Sequence, residues 1–544
     1  MQSILIVEYR KMFREYRQGA DGLAMGTGLR IACGIIYVLF LVHSQLFLPS
    51  IGADLSSIDV TSRGMYQSNS NWTTTPHERI SIGSDIDFHN LAAEEEWPGI
   101  GLENNPYIIE GFEISDVGPG ISIDDTTVYF VIRQCIISSD EEPSGTGIYL
   151  YNVTHASVED TIIDTKARGI YLIFTSNSTI QNVTIRNAEE EALYIRDSAS
   201  LVLIGNSVSD CNRGGVVVDN SADCTLAGNR AFRCSQDGFV LHRALNATLL
   251  NNTSSESVGN GISLLSSSSS SLYNNTADRN SYTGIHLEES DDTILAGNSA
   301  FDNSGYGVSL IQSSSCIMIS NSVFRNSLDG FFLVESDSCS LTVNEVHGNS
   351  EVGIRLFVIL NSILYENSIG WNSGGNAYDD GINSVWDDGI SKGNRWSDYE
   401  EGDTYVIPGT AMSIDRYPAI LLDTFSPTID HPPDIQYDFG AAGQSIYWNT
   451  FDYEQDFYEV SVDGTNILTS EWNTRGIRVD VSGLEQGVYT YTLRVHDMSG
   501  NTAEDSVVVT VSGPPISMAA ITVIIGVIVI IVILAVEIRG REVL

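Results

Sequence analysis

One interval constrains this chain more than any other feature. Aligned on the residue that opens each apolar alternation, the sequence gives Gly147, Gly169, Ala192, Gly215, Gly238, Gly261, Gly284, Gly307, Gly330 and Gly353. The first step is 22 residues and every later one is 23. "ILAGNSAFDNSGYGVSL", from Ile294, and "IMISNSVFRNSLDGFFL", from Ile317, nearly superimpose as a result. Repeats of about 20 to 50 residues signal a solenoid, in which each unit buries its apolar face against a neighbour like itself.

Within the unit, three short apolar or alternating stretches are separated by Gly, Asn and Ser, which is a pattern of strands and turns. Eleven positions after the opener stands an apolar residue: Leu203, Leu226, Leu249, Leu272, Leu295, Met318, Leu341 and Leu364. Fourteen after stands asparagine: Asn206, Asn229, Asn252, Asn275, Asn298, Asn321, Asn344 and Asn367. Nineteen after comes a second series, Asn280, Asn303, Asn326, Asn349 and Asn372. Three strands in such a span make one coil of a right-handed parallel β-helix, with coils stacked about 4.8 Å apart. The leucines then form an inward ladder. The asparagines sit at bends in left-handed backbone and bond to the same residue one coil away. About eleven coils between Gly120 and Gly375 predict a rod on the order of 50–60 Å long.

At the start of this region stand "NNPYIIEGFEIS" (Asn104 to Ser115), "TTVYFVIRQCIIS" and "GIYLYNVTHASVEDTII". At its end stand "NSVWDDGISKGNRWSDYEEGD" (Asn383 to Asp403) and "DRYPAI". These stretches resemble the opening and closing motifs of the NosD-type right-handed β-helix repeat proteins, a family that includes many archaeal surface proteins. The resemblance covers roughly residues 76 to 421. It implies fold and class more than activity, because the wider group holds carbohydrate-binding proteins, polysaccharide-cleaving enzymes and copper-site maturation factors.

The β-helix is thus expected over residues 76–375, with an acidic cap over 376–421 in which Trp386 and Trp396 cover the last coil. A Pro-rich linker, 422–432, leads to period-two alternation over 433–512. Gly487 and Tyr489 after Leu484 resemble a tyrosine corner, and Trp448 is a core aromatic, so this segment reads as an Ig-like or fibronectin-like sandwich. It would serve as a spacer or an adhesive module.

The composition bounds partners. Lys plus Arg number 27 against 70 Asp plus Glu, a net charge of −43. Such a surface repels phosphate backbones and excludes nucleic acid as a partner. Two apolar segments frame the rest. Ile516 to Val536 carries no charge over 21 residues and suffices to span a bilayer, with 537–544 as a cytoplasmic tail. Residues 31–49 follow the basic lead of residues 1–30 (Arg10, Lys11, Arg14, Arg17, Arg30) and read as a signal-anchor or a cleaved signal peptide. The expected chain is membrane-anchored, with residues 54–513 extracellular. Sequons at Asn71, Asn152, Asn177, Asn182, Asn246, Asn251, Asn252 and Asn274 agree with that placement.

Candidate chemistry follows from the register. Two positions after the opener come Tyr149, Tyr171 and Tyr194, with Tyr151 beside them; flat rings next to polar groups suit sugars. Four positions after the opener come Arg196, Asp219 and His242, where a carboxylate beside an imidazole could do acid–base work. In the cap, Asp387, Asp388, Asp398, Glu400, Glu401 and Asp403 offer hard oxygen ligands for Ca²⁺ without EF-hand spacing. Scattered histidines argue against copper. Cys211 with Cys234, and Cys316 with Cys339, are one coil apart, within disulfide range but equally suited to stacking as buried thiols. Extracellular glycans or surface proteins are the expected partners of a non-catalytic binder. A polysaccharide lyase or hydrolase and a purely structural envelope component are the alternatives.

Overall fold

The computed structural model describes residues 72–139, 144–513 and 525–532. Three long parallel sheets of 15, 13 and 12 strands wrap one apolar interior in about 13 turns, two more than the repeat count suggests. The difference lies at the ends. Ile80–Ile82 already pairs into the 13-stranded sheet, while Arg395–Trp396 and Ala419–Ile420 of the cap extend the 15-stranded one.

Each coil contributes one strand to each face. Ile285–Glu288 lies on the first face, Ile294–Ala296 on the second and Ser299–Phe301 on the third. Every strand pairs in register with the strand one coil away, so Leu295 stacks on Met318 and Ile294 on Ile317. The inward ladder from Leu203 to Leu364 is fully buried. An opener such as Gly261 is glycine because a Cβ there would sit 2.6 Å from the Gly284 carbonyl oxygen of the next coil.

The asparagine columns are hydrogen-bonded throughout. Asn298 Nδ2 donates to Leu272 O and to Asn321 Oδ1, each at 3.0 Å, and Asn298 N–H donates to the same Oδ1 at 2.9 Å. Asn275 donates twice to Asn298 Oδ1 in the same way. The column runs on past Asn367 to Asn394, which donates its N–H to Asp415. The left-handed backbone, however, falls on the residue before each ladder asparagine: Asn251, Asn274, Gly297, Ser320, Val343 and Glu366. A buried side chain must point inward to meet the next coil, so the corner is turned by its neighbour. A third column of serines also links coils, as where Ser290 N–H donates to Ser313 Oγ at 3.0 Å.

The same geometry corrects the reading of the sequons. Asn252 belongs to the buried column and is fully buried, so it cannot carry a glycan in the folded coil. Asn152, Asn177, Asn182, Asn246, Asn251 and Asn274 are exposed, all in left-handed corners. The six described cysteines are free and buried; Cys211 and Cys234 stack with sulfurs 2.7 Å apart, while Cys316 and Cys339 donate to backbone carbonyls.

Both ends are closed. Helix α1 (Asp85–Glu94), N-capped by Ser84, buries Phe88 and Ala92 on the first coil and is not foreshadowed in the repeat. At the other end Trp386 and Trp396 are fully buried, their indole N–H groups donating to Asp379 and Asp415. Residues 428–512 form sheets of three and five strands around Trp448 and Trp472. Tyr489 OH donates to Glu485 O at 3.0 Å, the bond of a tyrosine corner.

The stretch after the cap is more than a tether. Thr428–Ile429 pairs as a strand of the sandwich, and Phe425 packs on His347 and Trp371 of the third face. Tyr453 OH bonds His347 Nδ1 at 3.1 Å, and Trp371 Nε1 donates to Glu454 at 2.7 Å. Residues 1–71, most of the 516–536 segment and the tail lie outside the described residues. Among those described, no helix is long and apolar enough to cross a membrane.

Two outcomes are expected. Asn298→Ala strands buried donors and acceptors on both neighbouring coils and should cost about 3 kcal/mol, read from the denaturant midpoint. Burial, and then the Arg325 cation, push His347 down to about 4. The folded imidazole therefore binds its proton less readily than the unfolded one. Its contribution is complete above about pH 6.5 and falls by up to about 3 kcal/mol as pH drops toward 4. His347→Phe, which extends the Phe301–Phe324 stack, should remove that part of the slope in pH-dependent unfolding.

Candidate functional site

The first face presents its outward columns to solvent. Register places Tyr149 beside Tyr171 and Tyr171 beside Tyr194. The first pair meets edge-on at 5.6 Å between ring centroids, and the second stacks at 5.1 Å with 17° between planes. Strands about 4.8 Å apart hold successive rings at contact distance, so the row is a consequence of the coil spacing. Below the row the column continues into Ser122, and above it into Val217 and Val240.

The Arg168 guanidinium lies over Tyr171 and Tyr194, 5.0 and 5.5 Å from the ring centroids. It is held by Glu190 and by Glu191, the latter at 2.9 Å, and Arg213 approaches Glu191 at 3.5 Å. Arg168 and Glu191 each stand immediately before an opener. That position was open to inspection along the repeat and carries the row's charged border.

Tyr151 stands two positions along from Tyr149 and packs edge-on against Phe174 at 5.7 Å, so it flanks the row without joining the stack. Its register partner Asp124 has Oδ1 buried without a hydrogen-bond partner. Burial, and then Asp125, push the Asp124 carboxyl up; burial and Asp124 push the Tyr149 phenol up in turn.

Arg196, Asp219 and His242 do align in register. Asp219 Oδ1 lies 2.7 Å from His242 Nδ1, and Tyr194 OH donates to Asp219 Oδ2 at 3.1 Å. Arg196 is turned away from this pair, its Nε 3.2 Å from Asp197, with the Tyr171 hydroxyl also stabilising its charge. Burial, followed by the neighbouring Asp219 charge, pushes the Tyr194 phenol up to about 12. A phenol held protonated donates hydrogen bonds and is a poor proton acceptor. The nearby carboxylate Asp197 is engaged by Arg196 and by Asn220 Nδ2 at 2.5 Å.

The cap carboxylates do not meet at one point. Asp387 is forked by Arg416 at 2.8 and 2.5 Å. Asp388 accepts three backbone N–H groups, from Ile390, Ser391 and Lys392. Asp398 accepts from Asn376 and Tyr405, whereas Glu400, Glu401 and Asp403 are exposed. Two clefts of about 340 and 350 Å³ open near the cap, lined in part by His347, Trp371 and Phe425 and by Glu366, Lys392 and Tyr417. Neither includes the tyrosine row, which lies on an open face.

Comparison with known families agrees with this architecture. Residues 98–254 and 214–369 match the family described as the right-handed β-helix region, and residues 460–511 match a PKD domain family. The A-module of Azotobacter vinelandii mannuronan C-5 epimerase AlgE6 is similar at 15% identity, with 56% of this chain and 94% of that chain covered and a TM-score of 0.46. The periplasmic alginate epimerase AlgG follows at 14% identity, 57% and 84% coverage and a TM-score of 0.35. The enzymatically active domain of bacteriophage CBA120 tailspike protein 2 gives 11%, 80% and 71%, and 0.33. No curated protein matches the sequence. Its two overlapping family matches span residues 98–369, half of its length, and the chain belongs to the right-handed β-helix family.

Proposed function

We propose that this chain is a membrane-anchored surface protein of the NosD type whose first β-helix face binds extracellular glycans without cleaving them. The observation that carries the reading is the register-locked row Tyr149, Tyr171 and Tyr194 on an open face. Its ring edges and phenol oxygens line the face, Arg168 lies over Tyr171 and Tyr194, and the Tyr194 oxygen, its hydrogen given to Asp219, can accept from a sugar hydroxyl. An open row running along the solenoid axis suits an extended polymer better than a small compact ligand.

Charge narrows the class. Around the row, Asp124, Glu190, Glu191, Asp197 and Asp219 outnumber Arg168, Arg196 and Arg213, on a chain whose net charge is −43. Polyuronates would be repelled, so neutral glycans are the favoured ligands. Exposure of the apolar side chains along the helical stretch 525–532 supports an anchor there.

A second reading rests on the Asp219–His242 bond, which could serve a polysaccharide lyase or hydrolase. Against it stands the need of a hydrolase for two carboxylates at a defined separation, since the nearby Asp197 is engaged by Arg196 and Asn220.

One experiment addresses both. The purified full chain is incubated with a panel of neutral and uronate glycans, scoring retention together with new reducing or unsaturated ends. Retention of neutral glycans without new ends is expected, falling about tenfold in Tyr171→Ala, roughly 1.4 kcal/mol, with little change in the unfolding midpoint. New ends that disappear in Asp219→Asn would establish the enzyme instead, and no retention of any glycan would favour the structural role.

A further inference from the structure

At the junction of solenoid and sandwich, three carboxylates meet. Asp423 comes from the stretch after the cap, Asp452 from the turn after the strand Ser445–Phe451, and Asp497 from the end of the strand Gly487–Asp497. One oxygen from each lies within 4.8 Å of the others, and the residues are only 5%, 7% and 2% exposed. Among the described residues no other set of three His, Cys, Asp or Glu side chains converges in this way.

Their hydrogen bonds leave the charge unanswered. Asp423 Oδ1 accepts the Phe425 N–H at 2.9 Å, and Asp452 Oδ1 accepts the Glu454 N–H at 2.8 Å. Asp497 accepts the Asn501 N–H at 2.7 Å and Asn501 Nδ2 at 2.8 Å, while Asn501 also donates to the Asp423 carbonyl. Asp423 Oδ2 remains buried without a partner. None of the described ion pairs brings Lys, Arg or His to any of the three. Burial, followed by repulsion from Asp423, Asp497 and Glu454, pushes Asp452 up to about 6. Buried carboxylates need a counter-charge, and an all-oxygen set of this kind selects a hard divalent cation.

We propose that Asp423, Asp452 and Asp497 form a calcium site that locks the sandwich onto the β-helix. Tyr453 and Glu454, directly after Asp452, are the residues that dock on His347 and Trp371. The ion would therefore sit behind that contact, tying the incoming chain to two loops of the sandwich and fixing the angle at which the rod is displayed. Calcium is favoured over magnesium because its shell tolerates irregular carboxylate and carbonyl donors, whereas magnesium demands near-octahedral geometry.

The test uses the full chain, stripped with EGTA, and follows thermal unfolding and calorimetric titration with Ca²⁺ or Mg²⁺. Calcium at about 1 mM should raise the unfolding temperature by about 5 °C, with one ion bound at the junction. Asp423→Asn and Asp497→Asn should abolish that response. In EGTA they should unfold at or above the wild-type temperature, since each removes a repelling charge. Asp398→Asn in the cap should leave the response intact. The proposal is overturned if calcium and EGTA give the same midpoint, if the junction variants respond like wild type, or if they unfold below wild type in EGTA. It is also overturned if the response is lost in Asp398→Asn, and an equal response to magnesium would overturn the choice of calcium.

Discussion

The architecture depends on one interaction, the bond between an asparagine and its counterpart one coil away. Asn321 Oδ1 takes both the backbone and side-chain N–H groups of Asn298, whose second side-chain hydrogen goes to Leu272 O. Each buried amide is thereby satisfied, and a shift of register by one residue would leave every member of the column unpaired. Apolar side chains alone tolerate sliding, because one leucine packs nearly as well against another. The polar columns make the stacking specific, and the leucine ladder supplies most of the burial.

From fixed register follows everything the outside of the rod can do. A residue type repeated at one position becomes a straight column, so aromatic contact is created by sequence spacing rather than by a pocket. The rows Tyr149–Tyr171–Tyr194 and Phe301–Phe324–His347 arise in this way on different faces. The first stays open and borders on charged groups. The second ends in His347, on which Phe425 and Tyr453 pack, and so meets the sandwich. The same device thus makes an exposed candidate binding surface on one side and a docking surface on the other.

How much of this was legible in the sequence varied with the range of the contacts. The 23-residue period made the coil, the leucine ladder, the asparagine bonds and the tyrosine row readable, because each depends on a neighbour at a fixed offset, while the capping tryptophans followed from the need of a solenoid to close its end. The Asp219–His242 pair was visible for the same reason, whereas the turning of Arg196 toward Asp197 was not, since rotamers are chosen by local competition. The left-handed corners were assigned one residue late. The cap carboxylates looked like one cluster because they are close in sequence, but the fold spends them separately on Arg416, backbone N–H groups and Tyr405. Asp423, Asp452 and Asp497 left no signal at all, being dozens of residues apart with no period to connect them.

The central functional claim is that the tyrosine row is where a glycan lies. The most direct measurement is an experimental structure of the full chain bound to the neutral oligosaccharide it retains best. Sugar rings packed along the Tyr149–Tyr171–Tyr194 row, with a hydroxyl donated to the Tyr194 oxygen, are the expected result. An oligosaccharide seated on another face, or one cleaved against Asp219 and His242, would contradict the account.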